Sequence, residues 1–294
     1  MSVVNTHTRM VLGDWGVSSC RLFLLENGEI SERRNGPGVK FTTDLAEAFH
    51  EMVSDWGKAP ALLCGTVGAN IGWKDAGYVD TPATLESLAG SAVEVSGSHV
   101  RILPGVRTPS NRFGTADVMR SEEIQAFGWC KVAGRHEAKL CLPGSHTKWV
   151  EVCGNAVDKF TTGFAGELFE VLSSHSTLIG GPDHGASGTA FKDGVRVAEQ
   201  HPSHLAGLFH VRALAAQNLE GGKVSRERLS GYIIGADCVR MLDTWQCPPD
   251  AIIGDGHIAT AYQSALATLG HEVDVASGEA SVLEGLRLAM AVTS

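Results

Sequence analysis

The chain has 294 residues, a net charge of −9 and no basic block. This excludes a protein that holds a nucleic-acid backbone on a positive face. An anionic ligand stays open, because backbone N–H groups at turns and helix starts hold phosphate without surplus lysine. Hydrophobic residues make up 43% of the chain, enough for one large core or two ordinary ones. The seven cysteines are scattered and show no C-x-x-C spacing, a pattern of free, mostly buried thiols in a reducing cytoplasm. The opening MSVVNTHTRM lacks the basic and apolar regions of a signal peptide. No apolar run approaches the ~18 residues of a membrane span.

In chain order, a first strand ends at Leu12 and the stretch GDWGVSS (13–19) forms a turn. CRLFLL (20–25) and EISERR (29–34) are strands joined by Asn27-Gly28, the signature of a type I′ hairpin turn. In TTDLAEAFHEMVSDWG, Leu45, Phe49, Met52, Val53 and Trp56 recur at helical spacing; Thr43 or Asp44 caps the start and Gly57 ends the helix. ALLCG (61–65) is a buried strand. From 139 the order returns: strand KLCL, turn PGSH, strand TKWVEV (147–152), turn Gly154-Asn155, strand AVDKFTT (156–162). The helix GELFEVLSSHSTLIGG follows, with Leu168, Val171, Leu172 and His175 on one face. A repeat at about 130 residues is a duplicated α/β domain, not a solenoid, and two such domains place a cleft between them. The first domain ends near the polar, Gly-interrupted KVAGRHEA (131–138). The second closes with LSGYIIGADCVRML, then a strand, Gly-rich loop and helix in DAIIGDGHIATAYQSALATLG, and a last helix over 278–292.

Several stretches carry chemistry. A strand running into a Gly-rich turn gathers backbone N–H groups that suit phosphate oxygens. In GDWGVSS, Asp14 is placed to hold Mg²⁺, directly or through water, and Ser18 and Ser19 can donate to phosphate. Gly144, Ser145, Thr147 and Lys148 offer the same functions in the second loop. Each loop is equally readable as a plain hairpin turn; the pair suits a nucleotide with several phosphates. CGTVGANIGWKDAGY (64–78) is a loop by its glycines, Gly68 among them, yet it presents Asn70, Trp73 and Lys74, groups that suit a sugar acid. Glu122 and Glu123 open the helix of FGTADVMRSEEIQAFG, either as acids for proton transfer or as partners of the helix dipole. SGYIIGAD and IIGDGHIATAY suit close backbone packing on a planar ligand such as adenine. The dinucleotide G-x-G-x-x-G, the P-loop, metal-binding histidine spacings and the G-x-S-x-G elbow are all missing.

GDWGVSSCRLFLL, CGTVGANIGWKDAGYVDTPA, VMRSEEIQAFG, LPGSHTKWV, TGFAGELFEVLSSHSTLIG, SGYIIGADC and IIGDGHIATAYQSAL occur in order from about residue 10 to 290. Together they resemble the 2-dehydro-3-deoxygalactonokinase family. The resemblance implies two duplicated actin-like (ribonuclease H-like) α/β domains with a cleft between them. The first, 1–136, would bind the sugar acid. The second, 137–294, would bind the nucleotide, with its last helix packing back on the first. The implied reaction is ATP-dependent phosphorylation of 2-dehydro-3-deoxy-D-galactonate on its 6-hydroxyl in galactonate catabolism. Asp14 would organise Mg²⁺, while Gly16, Ser18 and Ser19 face the ATP phosphates. Gly144, Ser145, His146 and Thr147, with Lys148, would form the second phosphate loop. Gly68, Asn70 and Trp73 would line the sugar-acid site, and Gly235, Gly254 and Gly256 the adenosine pocket. Glu122 and Glu123 are the favoured catalytic acids, with Asp14 next. Family members commonly carry glycine where this chain has Ser121 and a hydroxyl residue where it has Val17. The implied partners are a sugar acid and ATP, without nucleic acid or membrane; a homodimer is left open. Two rivals share the fold: a phosphoanhydride hydrolase, which needs no sugar pocket, and a non-catalytic sugar-acid sensor, for whose DNA-binding domain the chain has no spare segment.

Overall fold

The computed structural model describes residues 9–179, 188–201 and 204–293. The opening eight residues read for a signal peptide, and Gly180-Gly181 at the end of the predicted helix, lie outside the described residues.

The elements run β1 (Arg9–Trp15), β2 (Ser19–Glu26), β3 (Glu29–Pro37), α1 (Leu45–Met52), β4 (Ala61–Cys64), β5 (Tyr78–Asp80), β6 (Ala83–Thr84), α2 (Leu85–Gly90), β7 (Val93–Glu94), β8 (Val100–Ile102), β9 (Gly105–Thr108), β10 (Asp117–Met119) and α3 (Glu122–Ala133). They continue with β11 (Ala138–Leu142), β12 (Thr147–Cys153), β13 (Ala156–Gly163), α4 (Ala165–His175), α5 (Ala190–Gln200), α6 (His204–Ala216), α7 (Gly222–Trp245), β14 (Ala251–Ile253), α8 (Gly256–Thr268), β15 (Val275–Ala276) and α9 (Gly278–Thr293). One sheet has the order β3-β2-β1-β4-β8-β7 and another β15-β14-β11-β12-β13-β6. The first five strands of each follow one pattern: a three-strand meander, then two crossover strands on the side of its first strand. The β1–β4, β4–β8, β11–β14 and β14–β15 pairs are all parallel. This is the duplication predicted from sequence, with the strand order of a ribonuclease H-like unit used twice.

Local sequence accounts for the corners. Asn27 and Gly28 both take positive φ, 55° and 85°, as a type I′ turn requires. Asp44 caps α1 by accepting from the Glu47 N–H at 2.9 Å. α1 ends at Met52 rather than Gly57; Trp56 then turns back, 1% exposed, into the core. β1 does not stop at Leu12. It carries Gly13, Asp14 and Trp15 in register with Leu22, Arg21 and Cys20, so the turn is confined to residues 16–18. On α4, Leu168 and Leu172 pack inward as predicted, but Val171 is 45% exposed and His175 faces solvent.

Two compact units result. One comprises the described parts of 1–138, 150–160 and 278–294; the other comprises 139–149 and 161–277. The first unit's core gathers Trp15, Trp56, Leu22, Leu24 and Leu63 between its sheet and α1. Within it, α3 and α9 touch backbone to backbone. A Cβ on Gly128 would lie 1.9 Å from the Ser281 carbonyl oxygen, and one on Gly285 2.0 Å from that of Ile124. The second unit's core is built around Trp149, Trp245, Leu229 and Tyr262. Among the described residues, no helix is long and apolar enough to cross a membrane.

The α3–α9 contact sets a stability test. Gly285→Ala should destabilise the protein by about 1–3 kcal/mol, because the obstruction is backbone and cannot swing aside. Gly90→Ala, where an added Cβ meets nothing within 4 Å, should be neutral or slightly stabilising. Thermal melting of the two variants compares them; equal midpoints would remove the steric reading of α3 on α9.

Candidate active site

The first unit centres on Asp14. Because β1 continues past Gly13, Asp14 lies in a strand and is only 7% exposed. Three elements supply its partners. Arg21, opposite it on β2, donates to Oδ2 at 2.6 Å. Ser121, which precedes α3, donates its hydroxyl to Oδ1 at 2.8 Å. The thiol of Cys64, at the end of β4, points at the same oxygen from 3.9 Å. Burial, with the Asp14 carboxylate beside it, pushes the Cys64 thiol well above its usual range, so it stays protonated and donates. Ser121 adopts φ 96°, the left-handed region where glycine is unstrained. This chain therefore accepts backbone strain at that point and gains a hydroxyl on Asp14.

The predicted acid pair divides. Glu122 is partly exposed and accepts the Arg120 N–H at 2.9 Å. Glu123 is fully buried; its Oε1 accepts the Ser121 N–H at 3.0 Å. Its Oε2 has no hydrogen-bond partner among the described residues. Burial, with the Glu122 charge next, pushes the Glu123 carboxyl up to about 8. At neutral pH it is mostly a protonated acid that fixes the backbone before α3.

The glycine loop after β4 lies beside these groups. A Cβ on Gly65 would be 3.2 Å from Asp14 Oδ1, and one on Gly68 3.1 Å from Arg120. Arg120 lies over the Tyr78 ring at 4.4 Å and donates to the Gly77 carbonyl at 3.0 Å. Asn70 and Lys74 are exposed. Trp73 is half-buried, its ring 5.4 Å from that of Phe49, so part of it is core. Ser18 and Ser19 are exposed, and Gly16 spends its N–H on the Ser19 carbonyl to close the turn. Trp15 is fully buried beneath that turn and donates its indole N–H to the Pro37 carbonyl at 3.0 Å.

In the second unit, the loop between β11 and β12 presents Gly144, Ser145 and His146 at the surface. His146 pairs with Glu167 and stacks on Phe164, ring centres 5.3 Å apart. The other two predicted loop contacts turn away. Thr147 is fully buried with its hydroxyl 2.9 Å from that of Tyr262, and Lys148 folds back on the His146 carbonyl at 3.0 Å. Gly254 and Gly256 flank the start of α8 as predicted. Gly235 does not line an open space. It sits in mid-α7 against α5, where a Cβ would come 2.8 Å from the Val195 Cα. The opposite side of α7 opens onto a cavity of about 180 Å³ lined by Phe164, Leu168, Tyr232, Ile233, Ala236 and Arg240.

Sequence reasoning missed Arg21, Cys64, Asp237, Arg240 and Tyr262 as parts of these sites. Arg21 was findable only once the short turn at 16–18 is placed, because that turn pairs β1 with β2 and sets Arg21 opposite Asp14. Asp237 stands out as the sole acid in the apolar stretch GYIIGADCV. Cys64 and Tyr262 had no local signal.

Comparison with known proteins fits this geometry. The family model described as 2-keto-3-deoxy-galactonokinase matches residues 14–289. A Rhizobium meliloti (strain 1021) protein named "Probable 2-dehydro-3-deoxygalactonokinase DgoK1" is 34% identical over 293 residues, covering 94% of both chains. The 2-dehydro-3-deoxygalactonokinase of Escherichia coli (strain K12) is 31% identical, covering 95% of this chain and 96% of its own. A crystal structure from Sinorhizobium meliloti, assigned to the same kinase, superposes with a TM-score of 0.84 at 31% identity, covering 95% of this chain and 97% of the other. Component A of the Acidaminococcus fermentans (R)-2-hydroxyglutaryl-CoA dehydratase, at 12% identity and a TM-score of 0.52 over 98% of this chain and 100% of the other, shares the fold alone. By a family match spanning nearly all of its length, the chain belongs to the 2-keto-3-deoxy-galactonokinase family and is a kinase.

Proposed function

We propose that the protein transfers the γ-phosphoryl group of ATP to the 6-hydroxyl of 2-dehydro-3-deoxy-D-galactonate, with Mg²⁺ as the cation. The observation that carries this is the family match over residues 14–289. The names of the Rhizobium and Escherichia relatives supply the substrate. The same sugar-kinase reading makes the protein a cytoplasmic enzyme.

Phosphoryl transfer asks for placement and charge neutralisation more than for covalent chemistry. In the first unit, exposed Asn70 and the open edge of Trp73 supply an amide and an apolar face to the sugar acid. Gly68 keeps the floor thin, since any side chain there would strike Ile102. Of the acid pair, Glu122 is the one that solvent reaches and the better acceptor for the proton of the 6-hydroxyl. In the second unit, the surface of residues 144–146 suits phosphate oxygens. The cavity beside it is lined mainly by apolar side chains, which suits an adenine ring, with Asp237 and Arg240 also on its lining.

Among the described residues no cluster of three or more metal-binding side chains exists. A single carboxylate is nonetheless what Mg²⁺ takes when nucleotide phosphates and water complete its shell. Asp14 fits that role, and its bonds to Ser121 and Arg21 fix both carboxylate oxygens. When bound, the ion would neutralise charge on the phosphates; Asp14 would orient it, and Arg21 would keep the carboxylate from rotating.

Three outcomes check this reading. Asp14→Asn should remove most ADP release from a protein that still melts cooperatively, at a somewhat lower temperature because Arg21 loses its charge partner; near-normal turnover would sink the role of Asp14. Asn70→Ala should raise KM for the sugar acid far more than KM for ATP, and a matched change in both would count against the sugar site. The acids should separate. Glu122→Gln should lower kcat. Glu123→Gln should retain turnover and gain stability relative to the native chain as pH rises. The sign follows from proton linkage. Folded Glu123 holds its proton to about pH 8, whereas an unfolded carboxyl releases it from the ordinary value of 4.5. Its burial therefore costs nothing below that value and its full amount above pH 8. Melting curves between pH 5 and pH 8 read the difference; a constant gap would contradict it.

A further inference from the structure

We infer that Tyr262 and Asp237 are positioning residues that hold the 143–147 loop in its phosphate-binding shape, with Thr147 acting through Gly144 rather than on the nucleotide. The inference rests on the reading of that loop as a phosphate site.

The loop is braced from below. Asp237 is 8% exposed in the middle of α7 and accepts three donors: the Trp149 indole at 2.9 Å, the Tyr262 hydroxyl at 2.8 Å and Arg240 at 3.0 Å. Tyr262 comes from α8 and is fully buried. With its proton directed to Asp237, its oxygen is left as the acceptor facing Thr147 Oγ1 at 2.9 Å. Thr147 Oγ1 also lies 3.4 Å from both the N–H and the carbonyl oxygen of Gly144. A continuous chain of polar contacts therefore runs from the Asp237 carboxylate to Gly144, the loop's glycine. Tyr262 and Thr147 are fully buried, and Asp237 meets only the lining of the cavity beside α7. A structural core does not need this arrangement, since Phe and Val of the same volume would fill it more cheaply.

Two glycines show how little slack the arrangement has. A Cβ on Gly163 would come 2.3 Å from the Asp237 carboxylate, so β13 lies directly on it. A Cβ on Gly166 would come 2.5 Å from the Gly144 carbonyl oxygen, so the start of α4 closes the loop from its other side. The Glu167 N–H donates to the Ser145 carbonyl at 3.0 Å. The Ser145 and His146 carbonyls are thus engaged within the unit, which suits a loop that meets an anion through N–H groups.

The test uses the purified full chain with AMP-PNP and Mg²⁺ as the probe, by titration calorimetry, beside KM for the acceptor. Tyr262→Phe should weaken AMP-PNP binding about tenfold, the scale of one hydrogen bond supporting a charged contact, and leave KM for the sugar acid within about twofold. Thr147→Val should do the same, the double variant should add little to either, and Thr147→Ser should restore binding. Unchanged AMP-PNP affinity in both Tyr262→Phe and Thr147→Val, or a loss shared equally by both substrates with a collapsed melting temperature, overturns the inference. Gly144→Asp separates the two layers of the argument. Its Cβ has room, with nothing nearer than 4.0 Å, and it places a negative charge on the loop. If Gly144→Asp abolishes AMP-PNP binding and Tyr262→Phe does not weaken it, positioning fails and the phosphate loop stands. If Gly144→Asp binds normally, the phosphate reading fails and the inference with it.

Discussion

A carboxylate at the end of a buried strand is costly unless every lone pair facing the interior is answered. Asp14 meets that condition through donors from β2, β4 and the residue before α3. The requirement reaches outward from there. Arg21 must sit opposite on β2, which fixes the β1–β2 register closed by the turn at 16–18. Ser121 must present its hydroxyl, which imposes the positive φ at the start of α3. Glu123 then holds the Ser121 N–H from below. The backbone contact of α3 with α9 keeps that helix start in place.

The second unit reaches a comparable result by other means. Its loop carries no acid at the position where the first unit has one. A carboxylate is present but lies deeper, on α7, and its charge is answered by Arg240, Trp149 and Tyr262. Burial, with the charge of Asp237 next, drives the Tyr262 hydroxyl well above its ordinary range, so it remains a donor at any pH the enzyme meets. The two repeats thus share strand order while differing in chemistry: one sets a carboxylate at its strand end, the other an acid-free loop with Ser145 and His146 at the surface. That division suits a kinase, which must manage a cation and a chain of phosphates.

Much of this was legible in the sequence because hairpin turns, helix caps and apolar spacing are local. The meander of 9–37, its copy at 138–163 and the crossover strands at 61–64 and 251–253 all follow from such signals. Strand ends were harder. Gly13 and Asp14 look like a turn in isolation, yet cross-strand pairing with Leu22 and Arg21 extends β1 through them. Gly235 looked like a ligand-facing glycine because its neighbours are apolar; the helix face that needs it is set by α5, more than 30 residues away in sequence. Thr147 and Lys148 shared a motif with the exposed loop residues, but Thr147 meets the Tyr262 hydroxyl in the core and Lys148 folds back on the His146 carbonyl. Side-chain direction depends on what lies beneath, and a motif does not record that.

The most direct measurement of the central claim is coupled ADP release from the full chain across a panel of 2-keto-3-deoxy sugar acids, with and without Mg²⁺. The account predicts ADP release only when sugar acid and Mg²⁺ are both present, fastest with 2-dehydro-3-deoxy-D-galactonate. ADP release at the same rate without any sugar acid, or none with any member of the panel, would contradict it.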